Sequence, residues 1–64
     1  MSDVDEIIQR LRSISDDLSD RAITILSEAS RAGENKRPDA ERVITQARRA
    51  VEKAIALLER SDER

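Results

Sequence analysis

The sequence predicts an all-α protein, an antiparallel two-helix hairpin that dimerises into a four-helix bundle. Aliphatic residues recur at intervals of three and four along two long stretches, which is the spacing of one face of an α-helix. The only glycine and the only proline, Gly33 and Pro38, lie between these stretches. A connection of about four residues is too short to separate domains, so residues 1–64 are predicted to form one domain whose second helix folds back on the first.

The first helix is predicted at about residues 3–32. Ser2 is a favourable N-cap, and Gly33 follows the last apolar residue, where a left-handed residue ends many helices. Ser15 lies within the apolar stripe, and its hydroxyl is expected to bond to the carbonyl of Leu11. The stripe spans roughly 120° of the helix surface and consists of Val4, Ile7, Ile8, Leu11, Ile14, Leu18, Ala22, Ile25, Leu26, Ala29 and Ala32.

After a turn at about residues 33–37, the second helix is predicted at about residues 38–61. Pro38 suits the first position of a helix, and Asp39 and Glu41 are favourable near the positive end of the helix dipole. The centre of the apolar face is a line of alanines, which would let two helices approach closely. That line is Ala40, Ala47 and Ala54, with Val43, Ala50 and Leu57 on one side and Ile44, Val51 and Leu58 on the other.

The composition argues against an enzyme. The chain has no histidine, no cysteine and no aromatic residue, so the commonest general base, thiolate ligands and stacking side chains are all missing. We expect no cofactor and no metal, because the acidic cluster of Asp16, Asp17 and Asp20 offers too few oxygen ligands for a cation. No apolar run is long enough to cross a membrane, and the acidic N-terminus is unlike a signal peptide. A cytoplasmic protein is therefore expected.

Two helices in contact along one seam would leave part of each stripe in water. The second stripe spans about 160°, which is wider than one partner helix covers. We therefore expect a homodimer of two hairpins, although a different helical protein that completes the bundle satisfies the same physics. The predicted interface core is Leu11, Ile14, Leu18, Ile25, Val43, Ile44, Ala47, Val51, Ala54 and Leu58. Ile23, off the main arc of the first helix, and Ile55, at the edge of the second stripe, are the predicted candidates for a second contact.

The function that these features favour is a non-enzymatic, self-associating protein–protein interaction module, such as a small adaptor or regulatory protein. The alternative is a small dimeric nucleic-acid-binding regulator. It would use a basic ridge on the second helix, formed by Arg42, Arg49, Lys53 and Arg60, to contact phosphates. The competing interpretation is that acidic residues of the first helix neutralise this ridge. A net charge of -2 and the lack of aromatic residues favour that interpretation.

Overall fold

The computed structural model describes residues 3–62 and consists of two α-helices that pack against each other, α1 (Asp3–Arg31) and α2 (Asp39–Asp62). The predicted all-α hairpin is confirmed. The molecule measures 50 × 15 × 11 Å, which is one helix length by two helix widths. Neither helix, within the described residues, is long and apolar enough to cross a membrane. The predicted N-cap, Ser2, lies outside the described residues.

The corner between the helices is fixed by backbone hydrogen bonds around Gly33. Gly33 has a φ of 82°, in the left-handed region that glycine adopts without steric cost. Its N–H donates to the Ser30 carbonyl, and the N–H of Glu34 donates to the Ala29 carbonyl. These two bonds form a Schellman motif, which satisfies carbonyls that the end of α1 would otherwise leave unpaired.

The start of α2 is defined by Pro38, which directly precedes the helix. Its carbonyl accepts hydrogen bonds from the backbone N–H groups of Glu41 and Arg42. Pro38 therefore supplies the first acceptor of α2 and, with its fixed φ, directs the chain into the helix.

The seam between the helices follows a seven-residue repeat on both helices. The inward positions of α1, all buried or half-buried, are Val4, Ile8, Leu11, Ser15, Leu18, Ala22, Ile25 and Ala29. Those of α2 are Glu41, Ile44, Arg48, Val51, Ile55 and Leu58. Strict alternation of steps of three and four is the pattern of a coiled-coil seam. Ser15 occupies a seam position, whereas the neighbouring Ile14 does not.

The core of the single hairpin is thin. Ile8 and Ile55 are the buried hydrophobic residues, at 5% and 8% exposure, and no side chain of the described residues is fully buried. Each helix has one neighbour, and most seam residues are only half-buried. The hairpin therefore leaves much of its apolar surface uncovered.

Candidate protein–protein interface

One flank of the hairpin carries the polar contacts between the helices. Arg12 of α1 forms an ion pair with Glu59 of α2, and Ser15 Oγ donates to Glu52 Oε2 over 3.4 Å. Arg48 also bonds to Glu52, with 2.7 Å between Nη1 and Oε2. These contacts identify the side of α1 and the side of α2 that together form one surface of the hairpin. We call this surface the polar flank.

The opposite flank is lined by aliphatic side chains. On α1, Ile7 and Ile14 lie beside the Leu11–Leu18 line of the seam, on the side away from Arg12. On α2, the alanine line lies beside Ile44, Val51 and Leu58, on the side away from Glu52 and Glu59. Helical geometry thus places a set of aliphatic residues on this surface, which we call the apolar flank. Its members are Ile7, Ile14, Ala40, Val43, Ala47, Ala50, Ala54 and Leu57. Towards the turn, Arg21 and Glu28 occupy the same line of α1 as Ile7 and Ile14.

The apolar flank contains most of the large aliphatic side chains that the hairpin exposes. Ile7, Ile14, Val43 and Leu57 are 43%, 45%, 61% and 49% exposed. They are four of the six exposed large hydrophobic residues in the described part of the chain. Single exposed aliphatic side chains are ordinary, but a contiguous apolar surface marks a site of association. The flank therefore has the character of an interface.

The predicted interface residues divide between the seam and this flank. The half-buried seam residues are Leu11, Leu18, Ile25, Ile44, Val51 and Leu58. Ala54 is half-buried at the edge of the apolar flank, whereas Ile14, Val43 and Ala47 are exposed on it. The alanine line consequently lies beside the contact between α1 and α2, not within it.

The two residues predicted to make a second contact differ from each other in the structure. Ile23 is 62% exposed and lies with Leu26 on the side of α1 away from the apolar flank. Ile55 is only 8% exposed because it occupies a seam position facing α1. The prediction that Ile55 lies at an outer edge is therefore wrong, and α1 already covers its side chain.

The structure also contains a polar cluster at the start of α2 that the sequence analysis missed. Glu41, a seam residue 4% exposed, accepts hydrogen bonds from Arg37 Nε and Nη2 and from Thr45 Oγ1, the last at 2.7 Å. The bonds from Arg37, and then that from Thr45, lower the pKa of the Glu41 carboxyl group. The i, i+4 spacing of Arg37, Glu41 and Thr45 was the available signal. Arg37 is thereby held against Glu41.

The predicted internal bond of Ser15 is replaced by a contact between the helices. Its hydroxyl donates to Glu52 and not to the carbonyl of Leu11. Because Ser15 lies in the seam at 8% exposure, a partner on the facing helix is within reach. Thr24 makes the backward bond instead, from Oγ1 to the Asp20 carbonyl over 3.0 Å.

The residues of the basic ridge all lie exposed on α2. Arg42 bonds to Asp39 of the same helix over 2.6 Å. Within the described residues, no ion pair joins Arg49, Lys53 or Arg60 to an acidic residue of α1. The single hairpin therefore does not neutralise the ridge through α1. The cluster of Asp16, Asp17 and Asp20 is exposed as well, and within residues 3–62 no group of three or more acidic side chains could hold a metal ion.

Comparisons with protein-family models, with curated proteins and with solved structures gave no match to this chain.

Proposed function

We propose that this chain is a non-enzymatic protein–protein interaction module that self-associates through its apolar flank. Two hairpins would pack as a homodimeric four-helix bundle. The observation that carries the proposal is the concentration of exposed aliphatic side chains on one flank, opposite the flank that carries the polar contacts. A second copy offers the same surface, so a two-fold contact would bury the apolar flank of both copies at once.

The energetics favour a partner. Ordering the chain costs on the order of 1.5 kcal/mol per residue, and among the described residues Ile8 and Ile55 are the only large aliphatic side chains that the hairpin buries. Each exposed branched side chain on the apolar flank would contribute about 1.5–3 kcal/mol on full burial. A second hairpin supplies this burial without any additional type of chain.

The test is the mass and thermal stability of the purified chain as a function of concentration. Sedimentation at micromolar concentration is expected to give twice the mass of one chain, with a melting temperature that rises with concentration. Ala47→Glu places a charge on the alanine line and should yield the mass of one chain. Gln46→Glu is the matched control, because the same residue is introduced one position away at an exposed site outside the flank. A folded wild-type monomer with concentration-independent melting would refute the proposal.

A second candidate function is nucleic-acid binding by the basic ridge. It is favoured by the exposure of Arg49, Lys53 and Arg60 and by their lack of ion pairs with α1 among the described residues. Phosphate binding releases counterions, so affinity should fall steeply between low and moderate salt. A labelled RNA hairpin and a labelled DNA duplex should both shift at low salt, and Arg49→Glu should abolish the shift. Absence of any shift at low salt rejects this function and leaves the self-association proposal intact.

A further inference from the structure

Two exposed large aliphatic residues of the described chain lie outside the apolar flank, and they lie together. Ile23 and Leu26 are 62% and 41% exposed, and at three residues apart they are neighbours on the surface of α1. Both are in the half of α1 that leads to the turn. Self-association through the apolar flank would leave them in water, so the proposed bundle does not account for them.

The heptad repeat places Leu26 on the edge of the polar flank. Leu26 and Thr45 lie two heptads nearer the turn than Arg12 and Glu59, which form an ion pair between the helices. Leu26 and Thr45 are therefore opposed across the seam in the same way. Near the termini, the groove between the helices has a volume of about 490 Å³ and contains that ion pair. Towards the turn, both of its edges are uncharged.

The same repeat places Ile23 and Arg49 on opposite walls of this groove. They lie one heptad nearer the turn than Asp16 and Ala56, which line the groove near the termini. Arg49 is exposed and makes no ion pair within the described residues. We call this surface the turn groove, and its members are Ile23, Leu26, Thr45 and Arg49.

We propose that the turn groove binds an acidic amphipathic helix of another protein. Two aliphatic side chains one turn apart match the apolar stripe of such a helix. Carboxylates along the edge of that stripe would pair with Arg49. Arg42, one heptad before Arg49, adds a second positive charge to the same wall, although it also pairs with Asp39.

The charges on α1 determine how the partner helix lies. Asp16 and Asp20 are exposed near Ile23 and would repel carboxylates, so the acidic edge of the partner faces α2. A nucleic acid fits this surface less well, because its phosphates gain nothing from Ile23 and Leu26. The site belongs to one chain and lies on the side away from the apolar flank. It therefore does not depend on self-association, and a four-helix bundle would leave it open.

The probe is a phage-displayed library of random peptides selected on the purified chain. Multivalent display detects the weak binding that is expected of so small a contact. Peptides that combine Glu or Asp with Leu or Ile at intervals of three and four should be enriched on the wild type. The same selection on Ile23→Ser, which retains the arginines but lacks the aliphatic anchor, should not enrich them.

An enriched peptide is then synthesised, labelled and titrated by fluorescence anisotropy. Ile23→Ser and Arg49→Glu should each weaken its binding about tenfold or more, as expected for one buried aliphatic side chain or one charge pair. Ile23→Leu keeps the aliphatic contact and should bind as the wild type does. Arg10→Glu is the matched charge reversal at an exposed site near the start of α1, outside the groove, and should also leave binding unchanged.

Enrichment of acidic, aliphatic peptides whose binding needs both Ile23 and Arg49 supports the proposal. Equal selection on the wild type and on Ile23→Ser, or enrichment of basic peptides, refutes it. Binding that depends on Arg49 but not on Ile23 also refutes the groove and favours phosphate binding by the basic ridge. Failure here is distinct from failure of self-association, because the sedimentation mass of the wild type tests the apolar flank separately.

Discussion

The two flanks of the hairpin lie on the same pair of helices but differ in how far their side chains find partners within one chain. On the polar flank, Arg12, Ser15 and Arg48 have partners in Glu59 and Glu52, so the groups that need partners find them within one chain. On the apolar flank, aliphatic side chains remain in water. A few directed hydrogen bonds are enough to pair polar groups, whereas apolar side chains are stabilised only in proportion to the surface area that is removed from water. A two-helix protein can therefore complete its polar contacts internally and still need a partner for its apolar ones.

The largest effect is expected from truncating the seam that both flanks share. Ile55→Ala removes one of the buried aliphatic side chains. It should destabilise the folded protein by about 2–3 kcal/mol, the lower part of the range for such truncations, because the surrounding seam is partly open and can relax. Urea denaturation followed by circular dichroism would measure the loss. An unchanged midpoint would show that the seam is not the core of the fold.

Substitution of single exposed aliphatic side chains tests whether the apolar flank alone mediates dimerisation. Leu57→Ser on the apolar flank should weaken dimerisation about tenfold, which corresponds to about 1.4 kcal/mol. Ile23→Ser, at an exposed site away from that flank, should change dimerisation little, as surface substitutions usually do. The dissociation constants of the two variants would be compared by sedimentation equilibrium. Equal effects would contradict the assignment of the interface to one flank.

Acidification should weaken the cluster at the start of α2. The pKa of Glu41 is lowered in the folded protein by its bonds from Arg37 and Thr45. The unfolded chain therefore binds a proton at a higher pH than the folded chain does. The stabilisation is fully present above the unfolded value of about 4.3 and is lost as the pH falls through the lowered folded value.

The readout is the melting temperature of the wild type and of Glu41→Gln, recorded at several pH values between about 2 and 7. The variant keeps the shape of the side chain but cannot ionise, so it should be less stable than the wild type at neutral pH and should lose less stability on acidification. Parallel pH profiles for the two proteins would show that Glu41 does not contribute.

The smallest effect is expected at the exposed ion pair of the polar flank. Arg12 and Glu59 side chains are 50% and 44% exposed, so water and salt screen their attraction. Glu59→Gln should cost less than about 1 kcal/mol, and the difference from wild type should vanish at high salt. Denaturation at two salt concentrations measures it. A larger cost that persists in salt would mean that the polar flank contributes more than screened surface pairs.

The sequence predicts the hairpin well because both of its signals are local. The spacing of aliphatic residues indicates each helix, and Gly33 occupies the left-handed position that ends α1. The identity of the residues that face the other helix depends on the register of the whole helix. On the first stripe Ile14 is the more apolar candidate, yet Ser15 occupies the seam position because it lies one heptad from both Ile8 and Ala22. Register along the whole helix decides this placement, and hydropathy at a single position does not.

The burial of the Glu41 carboxylate could likewise not be predicted from the residue type at one position. Glu41 and Asp39 both suit the first turn of α2 by their charge, but only Glu41 lies in the seam, at 4% exposure. Its burial is tolerated because Arg37 and Thr45 supply three hydrogen bonds. The sequence shows that a carboxylate is present at this position. Whether that carboxylate can be buried depends on the residues one helical turn before it and one turn after it.

The thinness of the single hairpin affects how the protein would respond to its own abundance. No side chain whose burial the structure describes is fully buried in one copy, so a bundle completed by a second copy would link folding to encounter. At low expression most chains would then be open to proteases, and at high expression most would be protected. Such a chain would persist only above a threshold of synthesis, and its lifetime would then depend cooperatively on its concentration.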